Sequence, residues 1–350
     1  MRIGILTFHW GTNYGGVLQA YALQTYLKGL NYDVEIINYA PKTFRDNFLL
    51  CFKSKSVHTI EKNVCEYLKE QKFKRFRKKN LNLSNTRYYN ATDCERLISG
   101  YDIVIVGSDQ VWNPYIALNY GRVYWLPVKT NIRKIAYAVS LGCEQYPTDV
   151  LATVSDFIND FYAISARENT AIKIIQPKFS KGQVTVVPDP TVLVNSAQYM
   201  PFVNRHINNR GCFIYVLQEN QKLIAEIEET LQCEYDVYKP DINKWNQYSI
   251  EEWLSGIYNN KLVITNSFHG VMFSLIFHRD FFVTLIEGSL SGMNDRIYTI
   301  LEYLGLQDRI IKNAETFTMM KKQTINWGDV DTRLRQFKEI GTKFLSDNLK

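Results

Sequence analysis

Several patterns that would fix a chemistry on sight are missing from this 350-residue sequence. Its six cysteines, Cys51, Cys65, Cys94, Cys143, Cys212 and Cys233, form no C-x-x-C pair, which argues against a zinc site or a small disulfide scaffold and suits a reducing compartment. Neither G-x-G-x-x-G nor G-x-x-x-x-G-K-[ST] occurs, so a dinucleotide-dependent oxidoreductase and a P-loop NTPase are both disfavoured. No apolar run reaches the length of a membrane span. The chain opens on a strand-like run, Arg2 to Thr7, with neither a charged leader nor an apolar signal core, and the expectation is a cytoplasmic protein. Internal repeats and low-complexity tracts are absent.

What remains is an ordinary globular composition, 46% hydrophobic and 22% charged, long enough for two α/β lobes with separate cores. The net charge of +6 suits a small anionic substrate as readily as an acidic membrane surface or a nucleic acid. Aromatic residues make up 14% of the chain, and flat aromatic faces are useful where sugars are held.

The first forty residues read as a βαβ unit. Ile3, Ile5 and Leu6 form a strand, Ala20, Leu23, Leu27 and Leu30 a helical stripe, and Val34 to Ile37 a second strand. From 43 to 100 the pattern is irregular, with a basic amphipathic segment, Lys69 to Lys79, interleaved with Leu68, Phe73 and Phe76. It reads as a solvated helix face, with an anionic membrane or polyanion surface as the alternative. Alternation resumes with strands at Asp102–Val106, Ile135–Val139, Ala163–Ala166 and Val184–Val187 and a helix around Val150 to Phe161. These near-continuous apolar strands predict a buried parallel sheet. Three prolines over Pro188–Pro201 suggest a linker, and a second α/β series follows, with Ser249 and Glu252 spaced as a capping box. The expected domains are 1–195, 205–325 and a C-terminal helix over 326–350.

In parallel α/β sheets ligands bind outside the carboxyl ends of the strands, so the segments just after the apolar runs are the informative ones. Gly15 and Gly16, ahead of a helix, would let backbone N–H groups approach an anion, or simply form a tight turn. Gly107 to Asn113 gathers Asp109, Gln110, Trp112 and Asn113. That set can bind hydroxyls and stack on a sugar, although capping by Asp109 and a core role for Trp112 are the structural alternatives. Arg167 follows a strand and could present a guanidinium fork to phosphate or carboxylate, or form an ion pair with Glu168 or another neighbour. Among five histidines, His58 and His206 fall in irregular polar stretches and His278 at a helix end. His269 stands between a strand and a helix, where an imidazole can act as general acid or base; His9 is the weaker counterpart in the first half.

Taken in order, Asn13 to Ala20, Gly107 to Asn113, Ser140-Leu141-Gly142, Ser165 to Glu168, Asp189-Pro190-Thr191 and Ser267-Phe268-His269-Gly270 resemble the polysaccharide pyruvyl transferase family. The resemblance implies a GT-B-like α/β fold. Its two Rossmann-like lobes carry parallel sheets facing across a cleft that holds the active site, with the C-terminal helix packing back on the first lobe. It also implies a transferase of capsule, exopolysaccharide or cell-wall glycan assembly, moving the pyruvyl group of phosphoenolpyruvate onto two hydroxyls of a sugar. No cofactor or metal is implied beyond the donor itself, and the partners are a saccharide acceptor, lipid-linked or free, with no nucleic acid. By the same similarity His269 and Arg167 are catalytic, with Arg167, Ser267, His269 and Arg296 on the donor side. Asn13, Tyr14, Asp109, Gln110 and Trp112 fall on the acceptor side. Many members carry an arginine two residues before the histidine; here that position is Ser267, and Arg296 is the substitute. The rival readings are a nucleotide-sugar glycosyltransferase on the same fold and a non-catalytic glycan-binding relative.

Overall fold

Eleven β-strands and eleven α-helices are arranged in two units, described by a computed structural model over residues 1–41, 46–53, 56–90, 94–217, 221–232, 234–240 and 247–350. Unit 1 comprises Met1–Val194 and Phe337–Lys350, and unit 2 comprises Asn195–Gln336. Cys233 lies outside the described residues.

Unit 1 holds β1 (Arg2–Leu6), α1 (Tyr14–Gly29), β2 (Asp33–Ile36), α2 (Val57–Asn80), α3 (Cys94–Ile98), β3 (Ile103–Val106), β4 (Arg133–Val139), α4 (Thr148–Asn159), β5 (Ala163–Ala166), α5 (Asn169–Ile175) and β6 (Thr185–Val186). Its sheet is parallel throughout, in the order β2-β1-β3-β4-β5-β6. Both faces are covered, so β3 and β5 are buried at every position; β3 reads as an uninterrupted apolar run, and in β5 the one polar residue, Ser165, donates to Ala136 O and accepts from Ala138 N. α1 is buried nearly all round from Tyr14 to Ala20. Leu30, expected in its apolar stripe, instead follows Gly29 as the C-cap and is exposed, because the chain turns there through Asn31 at φ 64°.

The basic segment is one long helix, α2, capped by Ser56, which also takes in His58. Phe73 and Phe76 point into unit 1 while Lys74, Arg75, Lys78 and Lys79 are exposed, as an amphipathic face requires. The proline-bearing stretch 188–201 is made of short 3₁₀ turns, and the division between units falls after Val194.

Unit 2 contains β7 (Asn208–Tyr215), α6 (Gln221–Leu231), β8 (Asp236–Tyr238), α7 (Ile250–Asn259), β9 (Asn260–Thr265), α8 (Phe268–Ile276), β10 (Asp280–Thr284), α9 (Asp295–Leu304), β11 (Ile310–Ile311), α10 (Ala314–Met320) and the first half of α11 (Trp327–Asn348). The capping box forms at α7: Ser249 accepts from Glu252 N, and Glu252 accepts from Ser249 N. The sheet runs β11-β10-β9-β7-β8, again parallel, and repeats the strand order of the first five strands of unit 1. From Phe337 onward α11 belongs to unit 1, where the Phe344 ring meets Tyr137 and the carbonyl of Asn348 accepts from Arg133. No described helix is long and apolar enough to cross a membrane.

Candidate functional site

In each sheet the chain reverses its order of strand addition at one place, between β1 and β3 in unit 1 and between β7 and β9 in unit 2. Loops leaving two such neighbours diverge to opposite faces and leave a crevice at the strand tips. The candidate residues of each unit collect around these two points.

In unit 1 the ordered sequence motifs become one hydrogen-bonded network. Thr7, at the tip of β1, donates to Ser108 O at 2.8 Å and accepts from Gln19 Nε2 at 2.8 Å, while Gln19 Oε1 accepts from Ser108 N at 3.1 Å. Ser108 Oγ lies 3.1 Å from Asp189, whose other oxygen is held by the amide and hydroxyl of Thr191. Arg167 donates to Asp189 at 2.7 Å and to Asp109 at 3.4 Å. Glu168 accepts from Ser140 Oγ and from the amides of Leu141 and Gly142.

The Arg167 side chain is 1% exposed. Burial alone would lower its pKa, but the charges of Asp189, Asp109 and Glu168 outweigh that and raise it. Both terminal nitrogens of the expected anion clamp thus point at internal carboxylates, and the ion-pair reading is the one this geometry supports.

Several expected acceptor contacts also resolve into packing. Trp112 is fully buried, its indole N–H donating to Tyr124 O and its ring edge-on to Phe161, so it has no open face for a sugar. Tyr14 packs against Phe73 with Lys69 Nζ 5.0 Å above its ring. Gln110 accepts from Asn113 Nδ2 at 2.8 Å and crowds Gly142, where an added Cβ would sit 2.2 Å from Gln110 Oε1. Asp109, at φ 76°, accepts from Gln110 N with one oxygen and turns the other toward Gly16. That places its charge at the positive end of α1. The diglycine is explained by crowding, since a Cβ on Gly16 would approach Phe8 O to 2.9 Å and Asp109 Oδ2 to 3.2 Å. Asn13 is exposed and accepts from Gly16 N as the N-cap.

Unit 2 brings its candidates together around one ring. Asn266 accepts from Leu217 N at 2.6 Å, joining the loops that follow β7 and β9. Ser267 caps α8 by accepting from Gly270 N, and Gly270 leaves no room for a side chain because Thr265 Oγ1 would stand 2.4 Å from its Cβ. His269 therefore occupies the first turn of α8, 5% exposed, with its ring edge-on to Phe268 at 5.2 Å. Asn294 grips the amide and carbonyl of Ile286 and leads into α9, where Arg296 donates to Met293 O and lies 5.6 Å over the Phe268 ring. Ser267, His269 and Arg296 thus share a neighbourhood organised by Phe268, which was not among the expected site residues. An anion near these two helix starts would meet partial positive charge from the backbone as well as the guanidinium.

The other histidines have separate places. His278 stacks on Trp327 and pairs with Asp331 at 2.9 Å, and His206 lies in the loop before β7. His9 is buried with Nδ1 3.2 Å from Thr7 O. Burial, reinforced by the charges of Arg77 and Arg87, lowers its pKa to about 4. Among the described residues, no group of three His, Cys, Asp or Glu could hold a metal ion.

Two parallel sheets, each with its switch point and motif residues at the strand tips, define a two-unit α/β protein of GT-B-like fold. The same fold is found in the UDP-GlcNAc 2-epimerase of Methanocaldococcus jannaschii, at 12% identity with a TM-score of 0.50 over 98% of this chain and 100% of that one. A UDP-N-acetylglucosamine 2-epimerase from Rickettsia bellii matches at 8% identity and TM-score 0.50, covering 99% of this chain and 96% of that one. A glycosyltransferase from Rickettsia africae matches at 11% and 0.50, over 99% and 93%. At such identities the likeness concerns the fold alone. No curated protein matches the chain. The family model described as polysaccharide pyruvyl transferase matches residues 13–285, most of the chain. The chain belongs to the polysaccharide pyruvyl transferase family.

Proposed function

We propose that the protein transfers the pyruvyl group of phosphoenolpyruvate to two hydroxyls of a saccharide acceptor, forming a cyclic ketal and releasing phosphate. The observation that carries this reading is the family match over residues 13–285, which spans the strand-tip motifs of both sheets. The chemistry asks for a proton donor and for cationic groups, because carboxylate and phosphate stay negative while the central carbon becomes positive.

In this mechanism a proton adds to the methylene carbon of the enol, converting it to methyl and leaving an oxocarbenium-like centre. One sugar hydroxyl attacks and loses its proton. The C–O bond to phosphate then breaks, the second hydroxyl adds and loses its proton, and the ring closes. One of the two hydroxyl protons replaces the one given to carbon and the other leaves with phosphate. His269 serves as the acid, at the carbon or at the departing phosphate. Arg296, with Ser267 and the amides at the start of α8, holds the donor's negative charge in place of the arginine common at the position of Ser267. Arg167 acts as a positioning residue, fixing Asp109 and Asp189, and Asp109 or Asn13 meets the acceptor. The product places the enzyme in capsule, exopolysaccharide or cell-wall glycan assembly, on a lipid-linked or free acceptor in the cytoplasm.

The test is phosphate release from phosphoenolpyruvate against a panel of free and lipid-linked saccharides, with nucleotide sugars run in parallel. Release that needs both phosphoenolpyruvate and a saccharide supports the proposal. Nucleotide release without phosphoenolpyruvate would replace it with a glycosyltransferase, and saccharide binding with no turnover of either donor would leave a glycan-binding relative.

A further inference from the structure

Unit 1 contains a cavity of about 270 Å³ that the donor chemistry does not use, at the carboxyl ends of β1 and β2 under one face of α2. Its volume falls just below the roughly 300–1,000 Å³ of drug-sized ligand sites, the scale of a single sugar with one substituent. Glu70, Lys74, Arg77 and Lys78 reach it from α2, where spacings of three and four residues put them on the same side.

Its cations divide into two kinds. Arg77 is buried, paired with Glu70, and donates to Gly11 O, while Arg87 pairs with Asp46 and donates to Ala40 O. These two guanidinium groups build the walls. Lys74 and Lys78 are exposed at the rim and form no ion pair or hydrogen bond among the described residues, so their charge is available to a ligand. Deeper in, His9 directs Nδ1 at Thr7 O, a carbonyl that can only accept, so Nδ1 carries the hydrogen and Nε2 keeps a lone pair. Nε2 is buried and makes no hydrogen bond of good geometry among the described residues, although the Asn38 side chain interacts with the imidazole. The half-buried Trp10 indole adds an aromatic wall, anchored by its N–H on Tyr124 and by its edge contact with Tyr120. A fixed acceptor for a hydroxyl, an aromatic wall and two unpaired ammonium groups at the mouth match a sugar that carries an anion.

We propose that this cavity is the acceptor subsite and takes a phosphate-bearing sugar, with Lys74 and Lys78 on the phosphate, Trp10 against the ring and His9 Nε2 accepting from a hydroxyl. The assignment of the bound sugar as acceptor rests on the pyruvyl-transfer reading. The binding of an anionic sugar does not.

Calorimetric titration of the whole protein with a hexose 1-phosphate, the same free hexose and inorganic phosphate separates the two. The sugar phosphate is expected to bind more tightly than either half alone. The exposed double variant Lys74→Glu/Lys78→Glu, whose unchanged melting temperature serves as the folding control, is expected to lose about ten- to a hundredfold in affinity. Inorganic phosphate binding as well as the sugar phosphate, no binding at all, or affinity indifferent to the charge reversal each overturns the proposal. Phosphate release from phosphoenolpyruvate is then measured on both proteins. Binding that depends on Lys74 and Lys78 without any turnover keeps the anionic-sugar site and removes the pyruvyl reading. Turnover whose KM for a sugar-phosphate acceptor ignores the charge reversal keeps the pyruvyl reading and removes the subsite.

Discussion

Replacing His9 should make the protein's stability less sensitive to acid. The imidazole is buried, and its pKa falls from 6.5 to about 4, first through burial and then through Arg77 and Arg87. The folded state therefore resists a proton that the unfolded chain accepts. The resulting contribution is fully present above pH 6.5 and is lost as pH falls toward 4. A shift of that size corresponds to about 3 kcal/mol over the whole window, and about 2 kcal/mol of it disappears between about pH 7.5 and pH 5.2. His9→Asn keeps a donor for Thr7 O and has nothing to titrate. The variant loses packing at every pH, but its deficit against the parent should shrink by about 2 kcal/mol over that interval. For a unit of 150–250 residues this amounts to roughly 4–8 °C in the difference of melting temperatures. Carboxylates that titrate in the same range are common to both proteins and cancel. The assay is scanning calorimetry of parent and variant across the pH series. A deficit that stays constant with pH would show that His9 is not held neutral, and the account of its cavity as electropositive would go with it.

Three substitutions test the rest of the site. His269→Ala should reduce phosphate release by about two to four orders of magnitude with the melting temperature nearly unchanged, and undiminished turnover would remove the imidazole from the chemistry. Arg167→Met leaves Asp189 and Asp109 buried without their cation and should cost about 3–5 kcal/mol in denaturant unfolding. A variant that unfolds at the parent's midpoint would contradict the structural role given to that ion pair. Gly16→Ala drives a methyl against Phe8 O and Asp109 and should destabilise by about 1–3 kcal/mol; a neutral result would show that the turn relaxes freely.

The elements most legible in the sequence were those whose apolar period was undisturbed. β3 announced itself because a parallel sheet covered on both faces selects unbroken apolar runs, β5 and β9 were legible from the shorter apolar stretches Ala163-Ile164 and Leu262-Val263-Ile264, and the Ser249–Glu252 spacing marked the start of α7. α2 was harder, because its Lys- and Arg-rich face hides the period set by Phe73 and Phe76. The positions of Arg167 and His269 at strand tips could be read; the partners of Arg167 could not. Asp189 lies 22 residues from Arg167 in sequence and meets it only because their loops leave neighbouring strands. Trp112 misled for a related reason, since an indole after a strand looks the same in sequence whether Phe161 covers it or not. Gln19 carried a usable signal: a glutamine within the apolar run of α1 has to find partners, and it bridges Thr7 and Ser108.

Pyruvyl transfer of this kind leaves the pyruvyl carbon bonded to two oxygens of a sugar. Phosphoenolpyruvate labelled with carbon-13 at its central carbon, incubated with the protein and a saccharide acceptor, tests it most directly by nuclear magnetic resonance. A new ketal carbon, bonded to a methyl group and two sugar oxygens, is expected to grow in step with free phosphate. Phosphate appearing while the label accumulates only in free pyruvate, or a product bearing a transferred sugar and no label, would contradict it.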